Sequence, residues 1–265
     1  MKKAIVLIMD GIMVLTLLLT GCNRANNYIP QNAKEIGYFY YPGTDWGMTM
    51  DEMCAAMSKK PSDFTIRREE GEYLTTTYLT DTTEFLNEKC PTVFEFVSVP
   101  NSEVSVLSTV TISYPMDEKD FPKLCVDIEA MIKQQDIPVS TSIDKQKNLK
   151  SVEDQGNVIK ESDPAYDTAD ASLELTIYKI TSKADMTNLP QEIKDGYNEY
   201  IQDLIRKGYL ESIPEETDYT QTLKEPLSRL VIRFIDNFED GSKNCQIVFS
   251  GRGISEPVGY LKAVS

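Results

Sequence analysis

Whatever chemistry this 265-residue chain performs, it performs without histidine, because the sequence contains none. That removes Ser-His-Asp and Cys-His catalysis, imidazole general bases and every His-containing zinc site. Thiols, carboxylates, one Ser-Lys spacing and one dense group of aromatics remain. The cysteines are Cys22, Cys54, Cys90, Cys125 and Cys245, with no CxxC pair to suggest a redox site or a zinc knuckle. Ser142-Ile143-Asp144-Lys145 has the S-x-x-K spacing, in which a lysine one helical turn away takes the serine proton. With 19 Ser and 20 Lys present, about one such match arises by chance, and no S-D-N or K-T-G triplet accompanies it. Asp163, Asp167 and Asp170, and likewise Asp236 and Asp240, lack the alternating spacing and closing glutamate of a calcium loop and read as solvated loop acids. A glycosidase pair could exist among the 42 acids, but its carboxylate separation is a property of the fold. Gly251-Arg252-Gly253 lacks the remaining glycine and lysine of a phosphate loop. The sequence therefore names no catalytic residue, no metal site and no cofactor.

The aromatic group is Tyr38-Phe39-Tyr40-Tyr41 with Trp46. It reads either as a strand leading into a helix, with alternate rings buried, or as a surface for stacking sugar rings or anchoring a partner, with Tyr38, Tyr40 and Trp46 as its candidate residues. The formal charge of −15 argues against nucleic acid, whose binders must neutralise phosphates.

At the chain start, Lys2 and Lys3 precede an apolar run that Asp10 and Gly11 interrupt. The run is short for a membrane span and fits a secretory signal peptide. Leu19-Thr20-Gly21-Cys22 resembles the lipobox of bacterial lipoproteins. That resemblance implies cleavage before Cys22, lipidation of its thiol, and a protein held on the extracytoplasmic face of the cell membrane by acyl chains. Outside the cytoplasm the other four thiols could form up to two disulfides, or stay buried as small hydrophobes; free buried thiols are the favoured reading.

The expected organisation is a signal peptide over residues 1–21 and a lipidated cysteine with flexible tether over 22–43. A first unit over 44–135, a polar linker or insertion over 136–170 and a second unit over 171–265 follow. In the first unit, Thr49 and Glu52 have capping-box spacing at the start of a short helix. Hairpin-forming strands are expected at 64–68 with 73–79, and at 92–99 with 104–114, where Val106, Val110, Ile112 and Tyr114 should share a face. Leu124, Ile128, Met131 and Ile132 mark a second helix. The stretch 139–168 is polar and aperiodic. Beyond it come a strand at 171–181, a helix from about 190 to 207 ended by Gly208, paired strands at 228–237 and 244–250, and a last strand at 258–264. The fold class is α+β: two helix-plus-antiparallel-sheet units joined by a polar linker.

Trp46-Gly47-Met48-Thr49 with Glu52 resembles the opening of some bacterial cell-envelope proteins, the small outer-membrane assembly lipoproteins and β-lactamase-inhibitor-like proteins. The resemblance implies a short helix against an antiparallel sheet, and action by binding proteins. The expectation is a non-enzymatic lipoprotein that binds an envelope protein or a wall polymer. A carboxylate-based wall hydrolase and a solute-binding lipoprotein are the alternatives.

Overall fold

The computed structural model describes residues 29–71, 74–98, 102–149, 171–208, 224–238 and 240–265. The leader, Cys22 and the acids at 163, 167 and 170 lie outside these residues. Eight strands among the described residues form one antiparallel sheet: β1 (Thr65–Glu70), β2 (Thr75–Phe85), β3 (Glu88–Ser98), β4 (Ser105–Tyr114), β5 (Val139–Leu149), β6 (Ala171–Ser182), β7 (Arg229–Asn237) and β8 (Lys243–Ser250). Their order across the sheet is β1-β2-β3-β4-β8-β7-β6-β5. The helices are α1 (Ala33–Ile36), α2 (Met50–Ala56), α3 (Phe121–Lys133), α4 (Gln191–Arg206) and α5 (Arg252–Val264). The class is mixed α+β.

One sheet face carries the aromatic core. Phe94 opposes Val110, Val110 opposes Phe249, and Phe249 opposes Leu230, so these side chains share a side. Tyr41 fits edge-on against Phe94 and Phe249. α3 covers the far half of this face through its expected stripe, and its Phe121 meets Phe234 of β7. The other face receives α5, which packs on β4 and β3 and is itself backed by α4. Gly196 of α4 lies where any Cβ would meet the Leu261 side chain, which is how two helices can approach this closely.

The expected helices at α2, α3 and α4 are present. The capping box is complete: Glu52 N–H donates to Thr49 Oγ1, and Thr49 N–H donates to Glu52 Oε2. Four expectations need correction. The polar stretch at 139–149 is not linker but strand β5, paired with β6 along its length. It is an edge strand held by backbone bonds, and five consecutive residues with one apolar side chain, Ser140–Asp144, are exposed or half-buried (Ile143 is 64% exposed), so no apolar alternation betrays it. Residues 33–43 are not a free tether. α1 buries Ala33 and Ile36, Gly37 turns the chain in the left-handed region, and Tyr38, Phe39 and Tyr41 are buried.

The strand expected at 258–264 is the end of helix α5, which tolerates Pro257 and uses Gly259 to pass close to Val106. Helix-breaking residues hid it, and close packing compensates for them. Finally, Val106 does not share a face with Val110 and Ile112. Thr109 opposes Glu95 while Leu107 opposes Phe96, so Ser108 is the extra residue of a β-bulge that turns Leu107 inward and Val106 toward α5. The Ser108 hydroxyl donates to Glu95 O, and its carbonyl accepts from Gly251 N–H.

Candidate functional site

Residues 38–48 form an irregular strap, because their polar groups are met one at a time by scattered partners and not by a continuous strand ladder. Gln135, just beyond α3, brackets Tyr40 by accepting from its N–H and donating to its carbonyl. Phe39 N–H donates to Ser228 Oγ. The Trp46 indole N–H donates to Phe39 O at 2.8 Å, folding the strap back on itself. Gly47 exchanges backbone bonds with β4 by donating to Leu107 O, and Met48 O accepts from Leu107 N–H. Two glycines make the fit possible. At Gly47 (φ +83°) a Cβ would meet Val258, and at Gly251 it would lie 2.1 Å from the Trp46 ring.

Where this strap meets α2 and α5 it borders a cleft of about 550 Å³, with Tyr38, Asp45, Trp46, Glu52, Val258 and Lys262 in its lining. The polar groups converge from both ends of the chain. Tyr38 Oη donates to Asp45 Oδ1 at 2.9 Å. Lys262 Nζ donates to Gly47 O at 3.0 Å and to Glu52 Oε2 at 2.6 Å. Burial pushes the Asp45 carboxyl up from 3.8 to about 6, against the opposing pull of Tyr38, the Trp46 backbone N–H and Lys262. Burial also acts to raise Glu52, but bonds from Lys262 and Thr49 outweigh it and hold that carboxyl below its ordinary value. The remaining lining is mostly apolar, with Ile36, Ala56 and Ile254 contributing.

The candidate aromatics divide. Tyr38 and Trp46, each 3% exposed, come together in this cleft, so they form part of a concave wall and not an open aromatic face. Tyr40 is half-buried outside the cleft, packed against the core. Asp45 and Lys262 were not singled out in the sequence. Asp45 is the one acid inside an aromatic and glycine-containing stretch, which is a usable signal. Lys262 lies 210 residues from its partner Glu52, and nothing local marks it.

No family model, no curated protein and no solved structure matches the chain. A functional reading therefore rests on geometry.

The other constellations resolve into structure. Ser142 and Lys145 sit on strand β5, where residues three apart point to opposite faces, so the proton transfer their spacing suggested has no geometry. Asp236 pairs with Lys243 at 2.8 Å, and the Asp240 carboxylate accepts from Ser242 N–H. Cys54, Cys90, Cys125 and Cys245 are free and buried. Among the described residues no three His, Cys, Asp or Glu side chains gather as a metal site, and no helix is long and apolar enough to cross a membrane.

Proposed function

We propose that this chain is an extracytoplasmic lipoprotein, tethered to the cell membrane through Cys22, which binds an envelope protein or wall polymer without transforming it. Its recognition site is the Tyr38–Lys262 cleft. The observation that carries this reading is the build of that cleft: a largely apolar concavity with a few convergent polar groups, the usual form of a binding site. Asp45 is its chemical signature, a half-buried carboxylate suited to a hydrogen-bond donor such as an amine or hydroxyl. The two-unit organisation belongs to the same reading. Each half supplies four neighbouring strands, and each last strand, β4 or β8, leads into a helix.

A wall hydrolase is the second reading, favoured by one observation: Asp45 and Glu52 share a cleft, and their environments drive their pKa values apart. Against it, Glu52 Oε2 already accepts from Lys262, Thr49 N–H and Thr49 Oγ1, which leaves it poorly placed as a base or nucleophile.

The test is co-purification of the full lipoprotein from gently solubilised membranes of its host, in wild-type and Asp45→Leu forms, with a Cys22→Ala strain alongside. One stoichiometric partner, lost in the Asp45→Leu form, is the expected result. Shortened wall fragments would move the hydrolase to the front. Cys22→Ala protein that is still processed and still membrane-held would sink the anchor.

A further inference from the structure

On the sheet face that carries α4 and α5, a second cavity of about 570 Å³ opens beside the start of α5. Lys179 of β6, Arg229 of β7, Lys224 and Arg252 all contribute to its lining. The chain has 42 acids and 27 bases, and among the described residues many bases elsewhere are paired with a carboxylate: Lys59 with Asp81, Lys123 with Asp127, Lys133 with Glu129 and Lys207 with Asp203, for example. Here Arg252 is bonded to Glu95 at 2.8 Å, but Lys179, Lys224 and Arg229 have no carboxylate partner among the described residues. The two acids in the lining are Glu225 and Glu256. Burial pushes the Glu256 carboxyl up, with Arg252 opposing, so its negative charge is disfavoured there.

A second observation points to the same ligand charge. No side chain caps α5. Ile254 and Ser255 return their N–H groups to Gly251 O, leaving the two preceding amides, of Arg252 and Gly253, at the cavity without a backbone acceptor among the described residues. Unused amides and the positive end of a 13-residue helix favour an oxyanion. The Arg229 guanidinium adds a planar fork suited to two oxygens at once. The cavity is also larger than a bare oxyanion requires. Tyr197, Met186 and Leu227 give it an apolar side, and Thr181 and Ser250 give it hydroxyls.

We propose that this cavity binds a phosphate ester of a small polyol or sugar. Lys179, Lys224, Arg229 and the Arg252–Gly253 amides hold the phosphate, and Tyr197 and Leu227 flank the organic part. This goes beyond the reading above: it concerns a different cavity and stands whether or not the Asp45 cleft or the Cys22 anchor does. The ester can come from a free metabolite or from the repeating unit of a phosphodiester polymer.

The experiment is calorimetric titration of the full chain with glycerol 3-phosphate, a short glycerol-phosphate oligomer, glycerol and sulfate. Binding of the ester without binding of glycerol is expected. Lys179→Gln combined with Arg229→Gln should weaken it about tenfold or more, as loss of charge-assisted bonds does. Lys224→Gln, in a connecting segment outside the sheet, should weaken it several-fold without disturbing the fold, and Lys123→Gln on α3 should change nothing. An oligomer that binds more tightly than the monomer assigns the site to the polymer, and the reverse assigns it to the free ester. Failure of both phosphates to bind, sulfate binding as tightly as the ester, or unchanged affinity in the Lys224→Gln and double variants would each overturn the proposal.

Discussion

Asp45→Asn tests the electrostatics of the strap cleft directly. Folding raises the Asp45 pKa from 3.8 to about 6, so the folded protein holds this proton more tightly than the unfolded chain does. The associated stability is fully present below 3.8 and is lost as pH rises through about 6. A shift of about 2 units at 1.36 kcal/mol each sets a ceiling of about 3 kcal/mol. Asp45 keeps partial contact with solvent, which reduces the expected cost of ionising it to about 1–2 kcal/mol. Asparagine never ionises and can still accept from Tyr38. Relative to wild type, the variant should therefore be more stable by that amount near pH 8, with the advantage vanishing near pH 4. Urea unfolding across this range reads the difference, and the chain carries its own probe, because Trp46, its single tryptophan, lines the same cleft. Titrating groups distant from Asp45 contribute equally to both proteins and cancel. An advantage that does not change with pH, or an Asn variant that is less stable than wild type near pH 8, would refute the reasoning.

Gly251→Ala places a methyl group against the Trp46 ring at 2.1 Å, at a residue whose N–H is fixed to Ser108 O. It should cost about 1–3 kcal/mol in the same unfolding assay and shift the tryptophan emission. Gly253→Ala, whose nearest neighbours would lie 3.9 Å away, should be neutral or slightly stabilising. The buried thiols should be inert. Burial pushes Cys125 and Cys245 up to about 12 and raises Cys54 and Cys90. A thiol reagent at mildly alkaline pH should label these four at least about tenfold more slowly in the native protein than in urea; fast native labelling would contradict their burial.

What the sequence disclosed follows from how each element is held. α2, α3 and α4 were legible because a cap or an apolar stripe is written into a single short stretch. β5 was not, because an edge strand needs only backbone partners on one side. The β2–β3 hairpin, closed at 85–88, was missed because its turn carries no sequence signal. Leu86 and Asn87 both take positive φ (50° and 67°), a turn made without the glycine that usually announces it. α5 was misread as a strand because Pro257 and Gly259 serve packing against propensity. The aromatic strap was visible as residues but not as a cleft wall. Its geometry depends on Lys262, Val258 and Gly251, which reach it only through the folded sheet.

The strand order also sets a schedule for the chain. β4 is a central strand with six of its ten residues buried, yet one of its two edges is covered only by β8, more than a hundred residues later. During synthesis, the first four strands can pair while this edge, with its unpaired backbone N–H and C=O groups, stays open, ready to template a neighbouring chain. Closure waits for the hairpin of β7 and β8, and the strap cleft waits longer still, for α5. A copy clipped before residue 243 would therefore be not merely incomplete but adhesive. The seam makes the last twenty or so residues the quality check on everything before them.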